Sequence, residues 1–538
     1  MLADRPEEGI LSEGTLLSIE EKWMAMIIIL LLFIALFFNL GIHPLKHEEP
    51  RRALVALEMI FRGNWIVPTE LGALYYNKPP IYNWLLIGSF SIFGTYSEFA
   101  VRFFSVISFL GMGMLVYIFG LKYVNRKFAV YSSLFLLVTV EILYYFSITG
   151  EIDLFYSLLT FAQILAVFHF YRERKFYTLF LLVYLLAAIG SLTKGLPSIA
   201  FVGITLLSWL AYQRDLKRLF SLAHILGGLV YLTIVLGYFW WYSLYEDPSG
   251  FVTRLFTESS NRTIAEQGFE ALLLHLASFP LTTFVNLMPG ALLLIFLVRK
   301  DFVQWLKSNP FIFFCGFIFM ANFFIYWISP GAKARYIYML YPFPIMLFVY
   351  AFLHQSQFNA VRKNFILDRV ILLLIVLIGV AGISIPFIPA LNEHLLHLWV
   401  PASVAILGAV ACLYVYLRYL KLRVMSLILL AVVVRFVFNL TVLPIRSVEG
   451  SESQDRVDAS TIIQITNQAP LHVLEGSMIS RTTVFYLERE RNQVLNFEPQ
   501  LKHGHYYLAY EDSVADLPYK SLFKINYNQS EVTLFKVD

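Results

Sequence analysis

The stretch VILLLIVLIGVAGISIPF, at residues 370–387, decides the fold class of this chain. It has 18 residues, none of them charged, which is about the length that a helix needs to cross the core of a bilayer. Because lipid offers no hydrogen-bonding partners, the backbone of such a segment must satisfy its own N–H and C=O groups. The stretch therefore predicts a membrane-spanning helix.

The composition extends this prediction to the whole chain. Of its 538 residues, 58% are hydrophobic and only 14% are charged, and the mean hydropathy is +0.67. Ordinary soluble domains have roughly 45–50% apolar and about 25% charged residues. These values exclude a soluble globular, disordered, collagen-like or nucleic-acid-binding protein as the main class. Both cysteines, Cys315 and Cys412, lie in apolar runs, so we expect no disulfide framework and no thiolate metal cluster.

Further runs of similar length predict an all-α polytopic membrane protein with about 13 transmembrane helices. The first run lacks a small-residue cleavage site, and we interpret it as an anchor rather than a signal peptide. The apolar segment 81–93 is too short to span comfortably, so we interpret it as a re-entrant or interface-lying segment. The predicted spans are 23–42, 99–120, 128–148, 154–171, 177–192, 196–212, 219–242, 279–298, 311–328, 337–353, 370–387, 399–417 and 425–443.

Basic residues orient these spans, because they cluster in the connections after every second run. The positive-inside rule places those connections in the cytoplasm. An odd number of spans then places the tail outside, where the composition becomes polar. We therefore predict a transmembrane domain over residues 1–444, with a long first periplasmic loop at 43–98, and a small C-terminal periplasmic α/β domain over residues 445–538. The basic connections are 122–127, 172–175, 214–218, 299–307, 362–363 and 418–423.

The first outer loop departs from the positive-inside rule, because basic residues face outward there. They indicate an anionic partner at the outer surface. The alternative is simple compensation by the acidic neighbours Glu48, Glu49, Glu58 and Glu70. The outward basic residues are Lys46, Arg51, Arg52, Arg62 and Lys78.

Residues 47–63 carry the pattern of an amphipathic helix on the outer face. Pro50 suits a first helical turn, apolar residues recur at helical spacing, and Gly63 can cap the end. Glu48 and Glu49 would lie at the start of this helix, beside the arginines of its first turn. Such a group suits acid–base or anion-binding chemistry. A purely structural cap with salt bridges is the alternative.

The segment YYNKPPIY at residues 75–82 places a lysine on a stiff backbone. Pro79 and Pro80 favour an extended chain, so Lys78 is held on a rigid lead-in to the segment at 81–93. A compact ammonium group at the level of the lipid headgroups suits phosphate binding. Snorkelling to ordinary lipid phosphates is the alternative.

A second acidic point is the stretch GEID at residues 150–153, which the predicted topology places on the same face as Glu48. Two carboxylate sites on one face can converge over one substrate, although random surface placement is the alternative. Lys194 and Arg335 also fall at outer ends of spans. Glu141 and Arg435 lie inside the lipid region, where we expect buried structural pairing more than function.

In order along the chain, these motifs resemble the bacterial ArnT/PMT-like family of polyprenyl-phosphate-dependent glycosyltransferases, of the GT-C class. The resemblance covers roughly residues 24–350. It implies a GT-C-like fold with a catalytic cavity that opens to the periplasm. The motifs are EEPRRA at 48–53, GNWIVP at 63–68, YYNKPPIY at 75–82, SEFAVR at 97–102, the loop of Asp153, TKG at 193–195 and RY at 335–336.

The resemblance also implies roles for individual residues. It implies catalytic roles for Glu48, Asp153 and Glu49, and it implies that Lys78, Arg51, Tyr75 and Arg335 bind the donor phosphate. Weaker candidates for substrate binding are Arg52, Tyr82, Lys194, Glu258 and Arg262.

Three positions depart from the family pattern. Glu48 stands where Asp is usual, and Arg52 stands where Tyr is usual. Asn77 stands where some members carry a metal-binding Glu. The resemblance therefore leaves open whether the cofactor is a divalent metal ion or absent. These changes bear on the substrate rather than on the class of reaction.

The expected function is inverting transfer of a sugar from a polyprenyl (undecaprenyl) phosphate donor to a periplasmic-side acceptor such as lipid A. The alternatives are protein O-glycosylation of exported proteins, as in protein mannosyltransferases, a lipid-linked sugar transporter or flippase, and a non-catalytic scaffold for envelope assembly. The expected partners are the donor lipid, a glycolipid or protein acceptor and membrane lipids, with no nucleic acid. The expected location is the bacterial inner membrane, with the active site and the tail facing the periplasm.

Overall fold

The computed structural model describes residues 16–260, 268–355, 359–393, 397–514, 519–527 and 530–537. Helices dominate it, as the hydropathy predicts. Short 3₁₀ segments at 216–220, 290–297, 334–340, 385–387 and 420–422, and a π-helical turn at 142–146, interrupt the α-helices. The α-helices are α1 (Ile19–Phe37), α2 (Glu49–Phe61), α3 (Ile81–Phe93), α4 (Glu98–Tyr123), α5 (Arg126–Leu137), α6 (Ile152–Arg172), α7 (Phe176–Lys194), α8 (Pro197–Tyr212), α9 (Leu222–Ser243), α10 (Ser249–Ser260), α11 (Phe269–Asn286), α12 (Phe302–Lys307), α13 (Pro310–Trp327), α14 (Pro342–Leu353), α15 (Ala360–Ser384), α16 (Pro389–Asn392), α17 (Trp399–Arg418), α18 (Arg423–Val448), α19 (Ser451–Thr466), α20 (Arg481–Arg491) and α21 (Glu511–Val514).

The chain is a multi-pass membrane protein. Among the residues that the structure describes, eight helices are long and apolar enough to cross a membrane, or ten if two bent pairs each count as one span. The bent pairs, at 269–297 and 334–353, turn by 115° and 54°. The remaining predicted runs fold as α1, which has three charged residues among its first four, and as the short helices α5 and α8. The predicted count of 13 spans is therefore not confirmed.

The first outer loop folds as two helices joined by a small hairpin. Helix α2 begins after Glu48 with Pro50 in its first turn, as the sequence predicts, and Gly63 follows it with a φ of +64°. The hairpin pairs strand β1 (Thr69–Glu70) with strand β2 (Ala73–Leu74). Helix α3 covers the segment that is too short to span, and it ends at Gly94 in the left-handed conformation.

The two ionisable residues that the sequence places inside the lipid region, Glu141 and Arg435, contact other groups of the protein. The guanidinium group of Arg435 is fully buried and donates to the backbone carbonyls of Leu143, in the π-helical turn, and Ala35. The Tyr338 hydroxyl donates to the Glu141 carboxylate at 2.9 Å. Both intramembrane residues thus take part in structural contacts.

The last 90 residues combine helices with a five-stranded sheet in the order β4–β3–β5–β7–β6. Strand β3 is parallel to β4 and to β5, whereas β5–β7 and β6–β7 are antiparallel. The alternating polar and apolar stretches of the tail therefore form an α/β layer, as predicted; its domain boundary and its compartment stay predictions. The strands are β3 (Leu471–Leu474), β4 (Phe497–Glu498), β5 (Tyr506–Tyr510), β6 (Ser521–Tyr527) and β7 (Ser530–Lys536).

Helix α20 of this C-terminal part packs against the first outer loop, and the two share one apolar core. At one end of α20 the Arg481 side chain contacts the Glu70 carboxylate, whose other neighbour is Arg51 at 3.8 Å. Further along α20 the Tyr486 hydroxyl donates to Glu98 at 2.7 Å. The C-terminal part thus buttresses α2, the helix that carries the first acidic motif.

Candidate active site

Helix starts and ends from distant parts of the chain surround a cavity of about 270 Å³. Its walls come from the starts of α2 and α6, the segment before α3, the end of α7, helix α10 and the 3₁₀ segment at 334–340. Six basic side chains and three carboxylates line it, so the cavity carries an excess of positive charge. The lining residues are Glu48, Arg51, Arg52, Asn77, Lys78, Glu151, Ile152, Asp153, Lys194, Leu196, Pro197, Arg254, Arg335 and Tyr336.

The start of α2 supplies one carboxylate and two guanidinium groups. Arg51 donates to the Glu48 carboxylate at 2.7 Å, and Arg52 lies 3.6 Å from the same carboxylate. Arg52 also donates to the Tyr75 hydroxyl at 2.5 Å. The Glu48 side chain remains 35% exposed, which makes it the most accessible carboxylate of the cavity. Glu48 can therefore meet an incoming group without first losing its arginine partners.

The next residue along α2, Glu49, plays a different part. Its carboxylate is fully buried and accepts from the Arg102 guanidinium at 2.8 and 3.1 Å. It also accepts from the backbone N–H of Gly150 at 2.6 Å. Arg102 in turn donates to the carbonyls of Leu40, His43 and Pro44. This cluster joins α2, α4 and the loop before α6, so Glu49 positions the two acidic motifs and does not line the cavity.

The start of α6 supplies two carboxyl groups, each with a basic partner. Glu151, in the extended position before the helix, accepts from Arg335 at 2.6 Å. Asp153, in the first turn, accepts from the Lys194 ammonium at 2.5 Å. The ammonium also lies 5.0 and 5.1 Å from the ring centres of Tyr156 and Tyr336. Each carboxylate of this motif therefore has a basic partner from a distant helix end.

Burial sets the protonation of Glu151. Loss of hydration and the nearby charge of Asp153 raise the pKa of the Glu151 carboxyl to about 8, although Arg335 acts in the opposite direction. A carboxyl group with such a pKa is largely neutral at pH 7 and gains its charge only in mildly alkaline solution. Glu151 can therefore exchange a proton at physiological pH.

The segment before α3 brings Asn77 and Lys78 to the cavity wall. Its neighbour Tyr76 packs edge-on against Phe251 at 5.3 Å, and its hydroxyl donates to the carbonyl of Asp247. These contacts dock helix α10 on the segment. They explain why Arg254, one turn further along α10, also reaches the cavity.

The structure brings together most of the residues that the resemblance implies. Tyr75 and Tyr82 are buried and do not line the cavity; Tyr75 supports Arg52, and Tyr82 packs near Phe155 with ring centres 6.4 Å apart. The side chain of Glu258, on α10, and the whole of Arg262 lie outside the described residues. The implied residues that line the cavity are Glu48, Arg51, Arg52, Lys78, Asp153, Lys194 and Arg335.

The sequence interpretation includes Glu151 in the stretch GEID and Arg102 in the motif SEFAVR but gives neither residue a role of its own, and it does not name Arg254. Glu151 stands two residues before Asp153, and a carboxylate just before a helix can point along the helix axis into the same space; that spacing is the signal that could have found it. Arg102 stands in the quoted motif SEFAVR, but no local pattern indicates its partner Glu49, which is 53 residues away. Arg254 has no sequence signal that we recognise.

The carboxylates do not form a recognisable metal centre. Within the described ranges, no group of three or more His, Cys, Asp or Glu side chains is arranged to hold a metal ion. The three cavity carboxylates contact Arg51, Arg335 and Lys194, whereas a divalent ion needs several carboxylate or carbonyl oxygens around one point. We therefore derive no step through a metal ion.

Parts of this chain are similar in sequence to known proteins. Residues 77–241 match the family model described as dolichyl-phosphate-mannose-protein mannosyltransferase. The undecaprenyl phosphate-alpha-4-amino-4-deoxy-L-arabinose arabinosyl transferase of Photorhabdus laumondii is 25% identical over 304 residues, which are 54% of this chain and 52% of that protein. The enzyme of the same name from Shewanella sediminis is 32% identical over 35% of each chain. The matches thus span about half or less of the length of these relatives.

The fold has a similar counterpart among solved structures. The crystal structure of ArnT from Cupriavidus metallidurans bound to undecaprenyl phosphate superposes with a TM-score of 0.70 and 18% identity, over 96% of this chain and 98% of that one. The apo state of the same protein gives the same TM-score. The family model, the sequence relatives and the fold therefore agree, and they confirm the resemblance of this chain to the ArnT/PMT-like family of the GT-C class.

Proposed function

We propose that this chain is a membrane glycosyltransferase that moves a sugar from a polyprenyl phosphate, such as undecaprenyl phosphate, to an acceptor such as lipid A. The observation that carries the proposal is the cavity itself, in which six basic groups surround three carboxylates. A phosphate-linked sugar brings a leaving group that needs positive charge, and an acceptor hydroxyl needs a base. The cavity offers both within one space.

The basic wall would bind the phosphate of the donor. Lys78 offers a compact ammonium group, and Arg51 and Arg335 offer planar guanidinium groups. When the phosphate arrives, Arg335 can turn part of its hydrogen bonding from Glu151 to a phosphate oxygen. This exchange is favoured because burial and the charge of Asp153 raise the pKa of the Glu151 carboxyl. The same cations would then stabilise the charge that grows on the phosphate as the glycosidic bond breaks.

The carboxylates would deprotonate or position the acceptor. The acceptor oxygen forms a bond to the anomeric carbon while the bond from that carbon to the phosphate oxygen breaks, and the electron pair leaves with the phosphate. Attack from the face opposite the phosphate inverts the anomeric centre. For a hydroxyl acceptor, its proton passes to Glu48 or Asp153; Glu48 is the more exposed and Asp153 is fixed by Lys194. For a phosphate acceptor no base is needed, and the carboxylates would only position it.

The membrane arrangement follows from the charge pattern. Basic residues between the spans favour a cytoplasmic location for one face, so the cavity and the C-terminal part would face the periplasm of a bacterial inner membrane. A donor lipid in the outer leaflet would then place its phosphate at the level of the cavity.

A protein acceptor is the second candidate, and the match of residues 77–241 to a protein mannosyltransferase family model favours it. The two candidates share the donor chemistry described above. They differ only in which molecule presents its oxygen to the anomeric carbon.

Release of polyprenyl phosphate tests the proposal. Purified protein in nanodiscs would receive undecaprenyl phosphate that carries a radiolabelled sugar, with lipid A or an exported protein as acceptor. We expect label to move to one acceptor with stoichiometric release of undecaprenyl phosphate, and we expect Lys78→Ala to reduce this nearly to background. The exposed Lys175→Ala, in a predicted cytoplasmic connection, is the matched control and should transfer normally. Movement of intact donor across the bilayer without release would instead identify a flippase.

A further inference from the structure

Glu58, in the second half of α2, is a fully buried residue that does not line the cavity. Its carboxylate accepts three hydrogen bonds from the hairpin of β1 and β2. The donors are the Thr69 hydroxyl at 2.6 Å and the backbone N–H groups of Leu71 at 2.5 Å and Gly72 at 3.1 Å. Hydrogen bonds to a charged acceptor are stronger than neutral ones, so this carboxylate fixes the hairpin on α2. The proposed transfer reaction gives these residues no part.

The turn of this hairpin has a backbone conformation that leucine rarely adopts. Leu71 and Gly72 form the two-residue turn between β1 and β2, with φ angles of +53° and +73°. Glycine adopts a positive φ readily, whereas in leucine it brings Cβ close to the following carbonyl oxygen. Such a conformation persists only where the surrounding contacts hold it. Two of the three hydrogen bonds of Glu58 go to this turn, so Glu58 supplies part of that hold.

The hairpin connects this turn to the basic wall of the cavity. Glu70, on β1, lies 3.8 Å from the Arg51 guanidinium. Tyr75, directly after β2, accepts from Arg52 at 2.5 Å. Lys78 follows three residues later on the same segment and lines the cavity. The hairpin therefore contacts two arginines of the cavity wall and leads into its lysine.

The other side of the turn packs against the C-terminal part of the chain. The Leu71 side chain belongs to the apolar core that the two parts share, and its carbonyl accepts from the backbone N–H of Phe497 at 3.3 Å. Gly72 lies so close to Asn496 that a Cβ on Gly72 would come within 2.2 Å of the Asn496 Oδ1. The turn is thus held between α2 and the C-terminal part.

Glu58 faces one basic and one acidic side chain. Arg62, one turn further along α2, lies 4.0 Å from its carboxylate, and Glu488 of α20 is close enough that the charge of Glu58 raises its pKa. Burial raises the pKa of the Glu58 carboxyl to about 6, although its hydrogen bonds act in the opposite direction. Glu58 is therefore mostly charged at pH 7 and can accept from all three donors. An amide at this position would instead turn N–H groups toward one of them.

We infer that Glu58 is a positioning residue for donor binding, which acts through the strained hairpin on two arginines of the cavity. Glu58 itself contacts neither the cavity nor its ligand. The hairpin that it holds keeps Glu70 beside Arg51 and Tyr75 beside Arg52, so the guanidinium groups stay in place for a phosphate. The inference rests on the proposed function only where it names that phosphate as the donor's.

Equilibrium binding tests this role. Full-length protein in phosphatidylcholine nanodiscs at pH 7.5 would be titrated with undecaprenyl phosphate. We expect Glu58→Gln to raise the Kd about five- to twentyfold, because the arginines lose their fixed orientation. Gly72→Ala, which forces the turn away from Asn496, should raise it similarly and replaces Glu58→Gln if that variant does not fold. Wild-type Kd values in both variants would overturn the inference.

Glu98→Gln is the matched control for a loosened contact between the two parts of the chain. Glu98 is also buried and accepts from the Tyr486 hydroxyl of α20 at 2.7 Å, but it does not contact the hairpin. This variant should lower the Tm much as Glu58→Gln does and leave the Kd unchanged. An equal rise of the Kd in Glu98→Gln would mean that general loosening, and not the hairpin, weakens binding.

A double-mutant cycle shows whether Glu58 acts through the hairpin. In a variant that carries both Glu70→Gln and Tyr75→Phe, the contacts to the arginines are already weakened or lost. Adding Glu58→Gln there should change the Kd less than twofold, whereas independent effects would multiply and contradict the inference.

Transfer assays separate this role from the proposed function. If the wild type shows this pattern of binding yet transfers no sugar, the positioning role stands and the transferase function fails. If the wild type transfers sugar and Glu58→Gln does so with unchanged donor KM, the function stands and the positioning role fails. A raised donor KM with nearly unchanged kcat in Glu58→Gln supports both.

Discussion

Each of the two acidic motifs at the cavity places two carboxyl groups at the start of a helix, but these carboxyl groups have different roles. At the start of α2, Glu49 is fully buried against Arg102, and only Glu48 lines the cavity. At the start of α6, Glu151 and Asp153 both line it, and each has a basic partner from another helix end. A carboxylate becomes part of the scaffold where a buried guanidinium and backbone groups use all of its hydrogen-bonding capacity. It stays available for chemistry where its partner lies on the cavity wall.

The largest expected effect is the loss of transfer when Asp153, at the start of α6, is changed. Asp153→Asn keeps the shape of the side chain but removes the charge that holds Lys194, so we expect transfer to fall by about 10³-fold. Initial rates of sugar transfer, at saturating donor, measure this. Glu173→Gln, an exposed carboxylate in a predicted cytoplasmic connection, is the matched control. Wild-type turnover in Asp153→Asn would remove Asp153 from the reaction.

On the α2 side, Glu49→Gln tests whether Glu49 stabilises the fold. The amide cannot balance the buried charge of Arg102, and such a loss costs about 3–5 kcal/mol. We expect the apparent Tm in detergent to fall by roughly 5–10 °C, with loss of folded protein. Glu48→Gln, one residue earlier and 35% exposed, should leave Tm unchanged while transfer falls. The assignment of scaffold and chemistry would be reversed if the two variants exchanged these results.

The pH dependence of donor binding sharpens the comparison. Glu151 has a pKa of about 8 because of burial and Asp153, so it gains negative charge between pH 7 and pH 9. The negative charge of Glu151 both repels a phosphate and holds Arg335. The phosphate itself does not change its charge in this range, because a phosphate monoester has a second pKa of about 6. The Kd for undecaprenyl phosphate should therefore rise about three- to tenfold from pH 7 to pH 9. In Glu151→Gln the Kd should be nearly constant, and an equally steep rise in that variant would assign the titration to another group.

The smallest effect is expected for Glu48→Asp. The shorter side chain withdraws the carboxylate by one methylene, but the charge remains beside Arg51 and Arg52. We expect transfer to fall by only about two- to fivefold, because general-base catalysis depends on reach as well as on charge. Initial rates with a hydroxyl acceptor measure it. Complete loss would mean that the added methylene of Glu48 is used for a specific contact.

Local signals in the sequence predict helices α2 and α3 well. Pro50 at the start of α2, Gly63 after its end, and Gly94 after α3 mark these boundaries, because each favours one backbone conformation. The number of spans is harder to predict, because hydropathy reports how apolar a run is and not whether the helix bends. The runs at 279–298 and 337–353 contain Pro289 and Pro342 at breaks between helices, and the structure bends there.

The pairing inside the cavity could not be predicted from spacing. Lys194 is 41 residues from Asp153, and Arg335 is 184 residues from Glu151. Only the packing of the helices brings them together. The family resemblance implies roles for seven of the fourteen lining residues, but it does not distinguish Glu49, which is paired with Arg102, from Glu48 beside it. The two glutamates differ in burial, and burial depends on the tertiary structure.

The contact between Arg481 and Glu70 has a consequence for any shortened form of this chain. Glu70 lies between Arg481, near the carboxyl-terminal end of the sequence, and Arg51 of the cavity. Without Arg481, the full negative charge of Glu70 would act on Arg51 and compete with an incoming anion for it. A protein without the C-terminal part would therefore lose both this partner of Glu70 and the apolar core that the part shares with the first outer loop.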